Sequence, residues 1–183
     1  PHAGYAYSGK VAAHGVSLLK GQNVTRVILL GVAHRSGFDG ACVSGYMANG
    51  TPIGDIPLDR AVIDKLAGHP LFKQDDQTMV MEHSIENQLP LLQYVLGDTG
   101  WKAVPILISR LDPMSARRIA AAILPHMDAR TVVIASSDLT HHGRAFGYVP
   151  FKTDVVQNVR KLDHGFLEHV VSMDLDGMLN YRK

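Results

Sequence analysis

Three histidines stand where a chain could do chemistry. They are His2 in Pro1-His2-Ala3-Gly4-Tyr5, His34 at the end of Val27-Ile28-Leu29-Leu30-Gly31-Val32-Ala33-His34, and His141 in Ser136-Ser137-Asp138-Leu139-Thr140-His141-His142-Gly143. Each follows a strand-like or turn-like stretch. In an open α/β sheet the carboxyl ends of neighbouring strands share one edge, so residues distant in sequence can meet there around a ligand. Imidazole suits that place, because it titrates near neutrality and its unprotonated nitrogen binds Zn, Cu, Fe or Ni. The pattern predicts a metal or proton-transfer site at a sheet edge.

The neighbours of these histidines sharpen the expectation. Gly4, two residues after His2, lets the backbone come close to whatever the imidazole holds. Asp138, His141 and His142 place a carboxylate and two imidazoles just past one apolar run, and a carboxylate can orient an imidazole in metal sites and in proton transfer. In Glu82-His83-Ser84-Ile85-Glu86, His83 and Glu86 fall on one side if the segment is helical. That segment reads equally as pocket residues or as an acidic helix start meeting the macrodipole. It is not His-Glu-x-x-His, so the helical zinc-protease geometry is absent. His14, His69, His126, His164 and His169 lack a supporting motif and read as solvent or packing residues, and Cys42 reads as a small apolar strand residue.

The elements that must position these side chains alternate along the chain. Helical spacing covers Ser8 to Lys20, with Gly21 placed to stop it, and β-branched and apolar runs predict strands at Thr25 to Leu30 and Ala41 to Tyr46. A short helix is predicted from Asp59 to Leu66 and a polar loop at Asp75 to Gln77. Glu82 to Leu96 is expected to be helical, with Pro90 forcing a kink or two short helices meeting near Leu89. Strand, helix and strand follow at Val104 to Ile108, Ser115 to Pro125 and Thr131 to Ala135. A long helix from Thr153 to Val171 is expected to turn Val155, Val159, Leu162, Phe166 and Val170 inward. This alternation predicts an α/β fold, one three-layer α/β/α domain over residues 1–183 with a parallel or mixed central sheet.

Composition sets the bounds. The chain has 183 residues, 46% of them hydrophobic and 19% charged, with a net charge of +1. A chain of this size can bury roughly 70% of its unfolded surface, enough for one core. Its basic residues are scattered, which argues against nucleic acid, and its apolar runs fall far short of the roughly 20 residues that a membrane span needs. One cysteine excludes an internal disulfide and fits a cytoplasmic setting. The start at Pro1, without an initiator Met, leads us to expect an excerpt of a longer chain. No Gly-x-Gly-x-x-Gly, Walker loop or Gly-x-Ser-x-Gly elbow occurs, so no nucleotide cofactor is expected.

Four motifs in order carry a resemblance: Pro1-His2-Ala3-Gly4-Tyr5 with Tyr7-Ser8-Gly9, Gly31-Val32-Ala33-His34, Glu82-His83-Ser84-Ile85-Glu86 with Leu89-Pro90, and Ser136-Ser137-Asp138-Leu139-Thr140-His141-His142-Gly143. Together they resemble the Memo-like family, called AmmeMemoRadiSam system protein B in prokaryotes, over essentially the whole chain. The family's fold is similar to that of class III extradiol dioxygenases, non-haem iron enzymes that open catechol rings. The resemblance implies His2 and His34 as metal ligands, His141 as an acid/base group with Asp138 fixing its orientation, and His83, Glu86 and His142 as pocket residues. A third ligand, a cysteine, is implied beyond Lys183. The implied metals are Fe(II) or Cu, with Zn also compatible. The chain departs from the family pattern at Val32-Ala33, where Pro-Ser/Thr is usual, and at His142, where Trp is usual. Two uses of the cleft are implied: redox or dioxygenase-type chemistry on a small molecule, and binding of a peptide or small anion without turnover.

Overall fold

Arg26–Val32 is the strand on which the first part of the chain is built. The computed structural model describes residues 1–181, and these group into two compact units, one from Pro1 to Ser137 and one from Asp138 onward. In the first unit a π-helical turn, Tyr5–Gly9, leads into α1 (Lys10–Ser17) and then β1 (Arg26–Val32). The chain continues through β2 (Ala41–Val43), a hairpin of β3 (Ala48–Thr51) and β4 (Gly54–Pro57), α2 (Arg60–Ala67), β5 (Phe72–Gln74) and α3 (Asp76–Val80). A 3₁₀ turn, Glu86–Gln88, precedes α4 (Leu89–Leu96), β6 (Lys102–Ile108), α5 (Pro113–Ile123) and β7 (Thr131–Ala135).

Five of these strands form one mixed sheet in the order β5-β2-β6-β1-β7. β1 runs parallel to both β6 and β7, whereas β2 is antiparallel to β6 and parallel to β5. Val27, Ile28 and Leu29 are consecutive and wholly buried, as are Ala103 and Val104. Successive strand side chains point to opposite faces, so this burial means that both faces of the sheet are covered. The α/β class and the mixed sheet expected from the sequence are therefore found. The cover is apolar: Val16 of α1, Ile63 and Leu66 of α2, Leu89 and Leu92 of α4, and Ile119 and Ile123 of α5 are all buried in the core.

Several boundaries differ from the sequence expectation. Asp76 and Gln77 are not loop residues: the Asp75 carboxylate accepts the Thr78 N–H and caps α3, which begins at Asp76. The segment Glu82 to Ile85 is not helical either. The helix proper starts at Leu89 with Pro90 in its first turn, where a missing N–H costs nothing. Two short helical pieces therefore meet at Leu89, as Pro90 predicts. The β3–β4 hairpin is an addition, and its turn is closed by Gly54 at φ +137°, a conformation that L side chains rarely adopt.

The second unit contains α6 (Val155–Val171) and α7 (Leu175–Tyr181), and no residue of either helix is buried. The inward set expected on α6 is corrected accordingly. Val155, Val159, Leu162 and Phe166 are only half-buried and Val170 is 41% exposed. Two helices alone are too small a body to exclude water from a core.

Among the described residues no helix is long and apolar enough to cross a membrane.

Candidate metal centre

The first unit assembles its polar cluster at the carboxyl ends of β1 and β7. Leu30 pairs with Ala135 across these strands, and the Ser136 N–H extends the pairing by donating to the Leu30 carbonyl at 2.7 Å. His34 follows β1 by two residues and Ser136 follows β7 directly, so both leave the same sheet edge. The segment Glu82 to Ile85 lies against this edge. A side chain at position 31 would put its Cβ 2.5 Å from Ile85 Cγ1 and 2.6 Å from Ser84 Oγ, so Gly31 is what permits the approach. Ser84 secures it by donating its hydroxyl to the Val32 carbonyl at 2.8 Å.

Three imidazoles meet there. The ring centres of His2 and His34 lie 5.1 Å apart, those of His34 and His83 5.0 Å and those of His2 and His83 5.8 Å. His2 is buried and His83 half-buried, whereas His34 is the most exposed of the three. Glu82 is buried among them, with Oε2 3.2 Å from His34 Nδ1 and Oε1 accepting the Arg35 N–H at 2.5 Å. One donor atom each of His34, Glu82 and His83 fits within 4.8 Å, a grouping that could hold a metal ion.

His2 is held from behind. Its Nδ1 lies 3.0 Å from the buried Ser136 hydroxyl, which donates to the Ser84 carbonyl at 2.6 Å. Gln88 donates to the same hydroxyl at 3.2 Å and to the Pro1 carbonyl at 2.8 Å, while Asn87 donates to the His2 carbonyl at 2.7 Å. Tyr5 anchors the following π turn by donating to the Asn87 carbonyl at 3.0 Å. Burial first, and the charge of Glu86 second, push the Tyr5 phenol above its ordinary pKa.

Of the residues singled out from sequence, His2, His34 and His83 are thus brought together. Glu86 is exposed and acts on Tyr5; because the segment is not helical, the carboxylate facing the imidazoles is Glu82. Sequence reasoning missed Glu82, Ser136 and Gln88. Ser136 follows an apolar strand directly, the same signal that singled out His34, whereas Glu82 is marked only by its neighbour His83.

His141, Asp138 and His142 belong to the second unit. His141 Nδ1 lies 3.0 Å from the Leu139 carbonyl and its ring packs edge-on against Phe146. Its Nε2 is 3.9 Å from the Asp138 carboxylate, an ion-pair distance too long for a hydrogen bond. His142 stacks on Phe151 and its Nε2 lies 3.2 Å from the carbonyl of that residue.

A mixed α/β sheet with clustered imidazoles at its carboxyl edge defines an α/β protein with a metal-capable histidine site. The Memo-like protein family profile matches residues 1–183, and the chain belongs to that family. It is 32% identical to the memo-1 homolog of Caenorhabditis elegans over 181 residues, covering 97% of this chain and 49% of that protein. A MEMO1 family protein of Methanopyrus kandleri is 35% identical over 187 residues, covering 98% of this chain and 61% of the relative. One of Saccharolobus islandicus is 34% identical over 178 residues, covering 93% and 62%. The chain thus spans about half to three-fifths of the length of these relatives.

Proposed function

We propose that this chain binds a transition-metal ion through His2 and His34 and serves metal-dependent redox chemistry on a small molecule. The observation that carries this reading is the convergence of the His2, His34 and His83 rings, with centres 5.0–5.8 Å apart, beside the buried Glu82. The donor set fits the group: imidazole suits Fe, Cu and Zn, and two histidines with a carboxylate or a thiolate leave positions open for a substrate. When bound, the ion would polarise a ligand or exchange electrons with it. His2 and His34 would hold it, with a cysteine beyond Lys183 as the third ligand implied by the family. His83 and Glu82 would line the same cleft. His141 would transfer protons, with Asp138 as its carboxylate neighbour.

Elemental analysis of the wild type beside a His2→Ala, His34→Ala double variant tests the ligand assignment. The wild type is expected to retain metal and the double variant to lose it; equal metal content in both would remove the assignment. Oxygen uptake with catechols tests the dioxygenase-type use, and no uptake by metal-loaded protein would count against it. In a peptide titration, equal affinity of the wild type and His34→Ala would exclude this cleft as a peptide-binding surface.

A further inference from the structure

We infer that two buried hydrogen-bond acceptors set the tautomers of His2 and His34 before any metal arrives, and that Glu82 is the positioning residue for His34. The inference rests on the metal-site reading above and deepens it.

Counting protons at each buried contact fixes the tautomers. Ser136 has one hydroxyl proton, and it is donated to the Ser84 carbonyl at 2.6 Å. Towards every other neighbour the Ser136 oxygen can therefore only accept. It accepts from the Gln88 amide at 3.2 Å, and towards His2 Nδ1 at 3.0 Å it accepts again. His2 Nδ1 must then carry its hydrogen, which puts the lone pair of the neutral ring on Nε2.

The same count applies to His34. An ionised Glu82 offers only acceptors. Oε1 takes the Arg35 N–H, and Oε2, 3.2 Å from His34 Nδ1, takes a proton-bearing nitrogen. The neutral His34 ring again carries its lone pair on Nε2. Both imidazoles are so held as Nε2 ligands, by a hydroxyl behind one and a carboxylate behind the other. Such partners fix ring orientation as well as tautomer, and their loss commonly costs 10–100-fold in metal affinity.

Glu82→Gln is the discriminating variant. A glutamine puts an NH2 donor in place of one of the two carboxylate oxygens, so in the same pose it cannot receive both the Arg35 N–H at one position and the His34 Nδ1–H at the other. Long-range proton–nitrogen NMR on ¹⁵N-labelled protein at about pH 8, where an ordinary imidazole is neutral, reads each tautomer directly. In metal-free wild type, both His2 and His34 are expected as the Nδ1–H form. Glu82→Gln is expected to shift His34 towards Nε2–H and leave His2 unchanged; Ser136→Ala is expected to release His2 and leave His34 unchanged. Zinc affinity is expected to fall about 10–100-fold in Glu82→Gln.

An Nε2–H tautomer for either ring in the wild type overturns the inference, and this result does not depend on whether any variant folds. An unchanged His34 tautomer in folded Glu82→Gln overturns the role of Glu82. Nδ1–H tautomers in a wild type that binds no metal would leave this inference standing and defeat the metal-site reading instead.

Discussion

The histidines of the two units are held in opposite ways. In the first, His34 leaves a sheet edge buried on both faces and His2 lies beside it, and their Nδ1 atoms lie against side chains from distant segments, Ser136 and Glu82. In the second, the Nδ1 of His141 lies against the carbonyl of Leu139, two residues away, on a scaffold whose helices bury nothing. The difference teaches where preorganisation comes from. A rigid core can hold an imidazole in one orientation and tautomer, whereas a contact within three residues of chain is made and lost with the local backbone.

Substitutions that probe the two scaffolds should separate them widely. The largest effect is expected from Leu92→Ala, which empties a wholly buried site in the first core, at a cost of about 2–5 kcal/mol in denaturant unfolding. The matching Val159→Ala on α6 removes a half-buried side chain and should cost under about 1 kcal/mol. Similar losses from the two would erase the contrast.

Gly31→Ala should act next most strongly, by about 1–3 kcal/mol, because the new Cβ would collide with Ile85 and Ser84. It should also disturb the imidazole cluster, visible as shifted His34 and His83 NMR signals. An unshifted spectrum would mean that the Glu82 to Ile85 segment does not depend on that close approach.

Cys42 offers a smaller, pH-dependent probe of the same core. Burial, the largest influence, pushes its thiol up to about 11 from an ordinary value of 9.0. The unfolded chain thus loses this proton first, so the native state binds more protons between the two values and stability falls as pH rises through that window. Cys42→Ala should flatten that alkaline fall. The native thiol should also resist a disulfide reagent at neutral pH and react only on unfolding, and rapid native labelling would contradict its burial. The smallest effect is expected at His142→Ala, within about 0.5 kcal/mol, since His142 is only half-buried and lies against one carbonyl and one ring.

Much of this arrangement was legible in the residues. The apolar run before Gly31 marked β1, the run Thr131 to Ala135 matched β7 residue for residue, and Pro90 marked the junction at Leu89. The place of His34 was legible because it follows the carboxyl end of β1, whereas His2 follows no strand and reaches that edge through its contact with Ser136, just past β7. Glu82 was not legible, because its role depends on a non-helical turn laid over Gly31 by contacts about fifty residues apart. The hairpin at residues 48–57 lacks a clear apolar alternation, and α3 depends on a single capping carboxylate, so neither gives a periodic signal.

Anomalous diffraction from crystals of the metal-loaded protein tests the central claim most directly. The account predicts one strong peak within about 2.0–2.2 Å of Nε2 of both His2 and His34, with Glu82 still against Nδ1 of His34. A metal bound through Nδ1 of either ring, or away from this pair altogether, would contradict it.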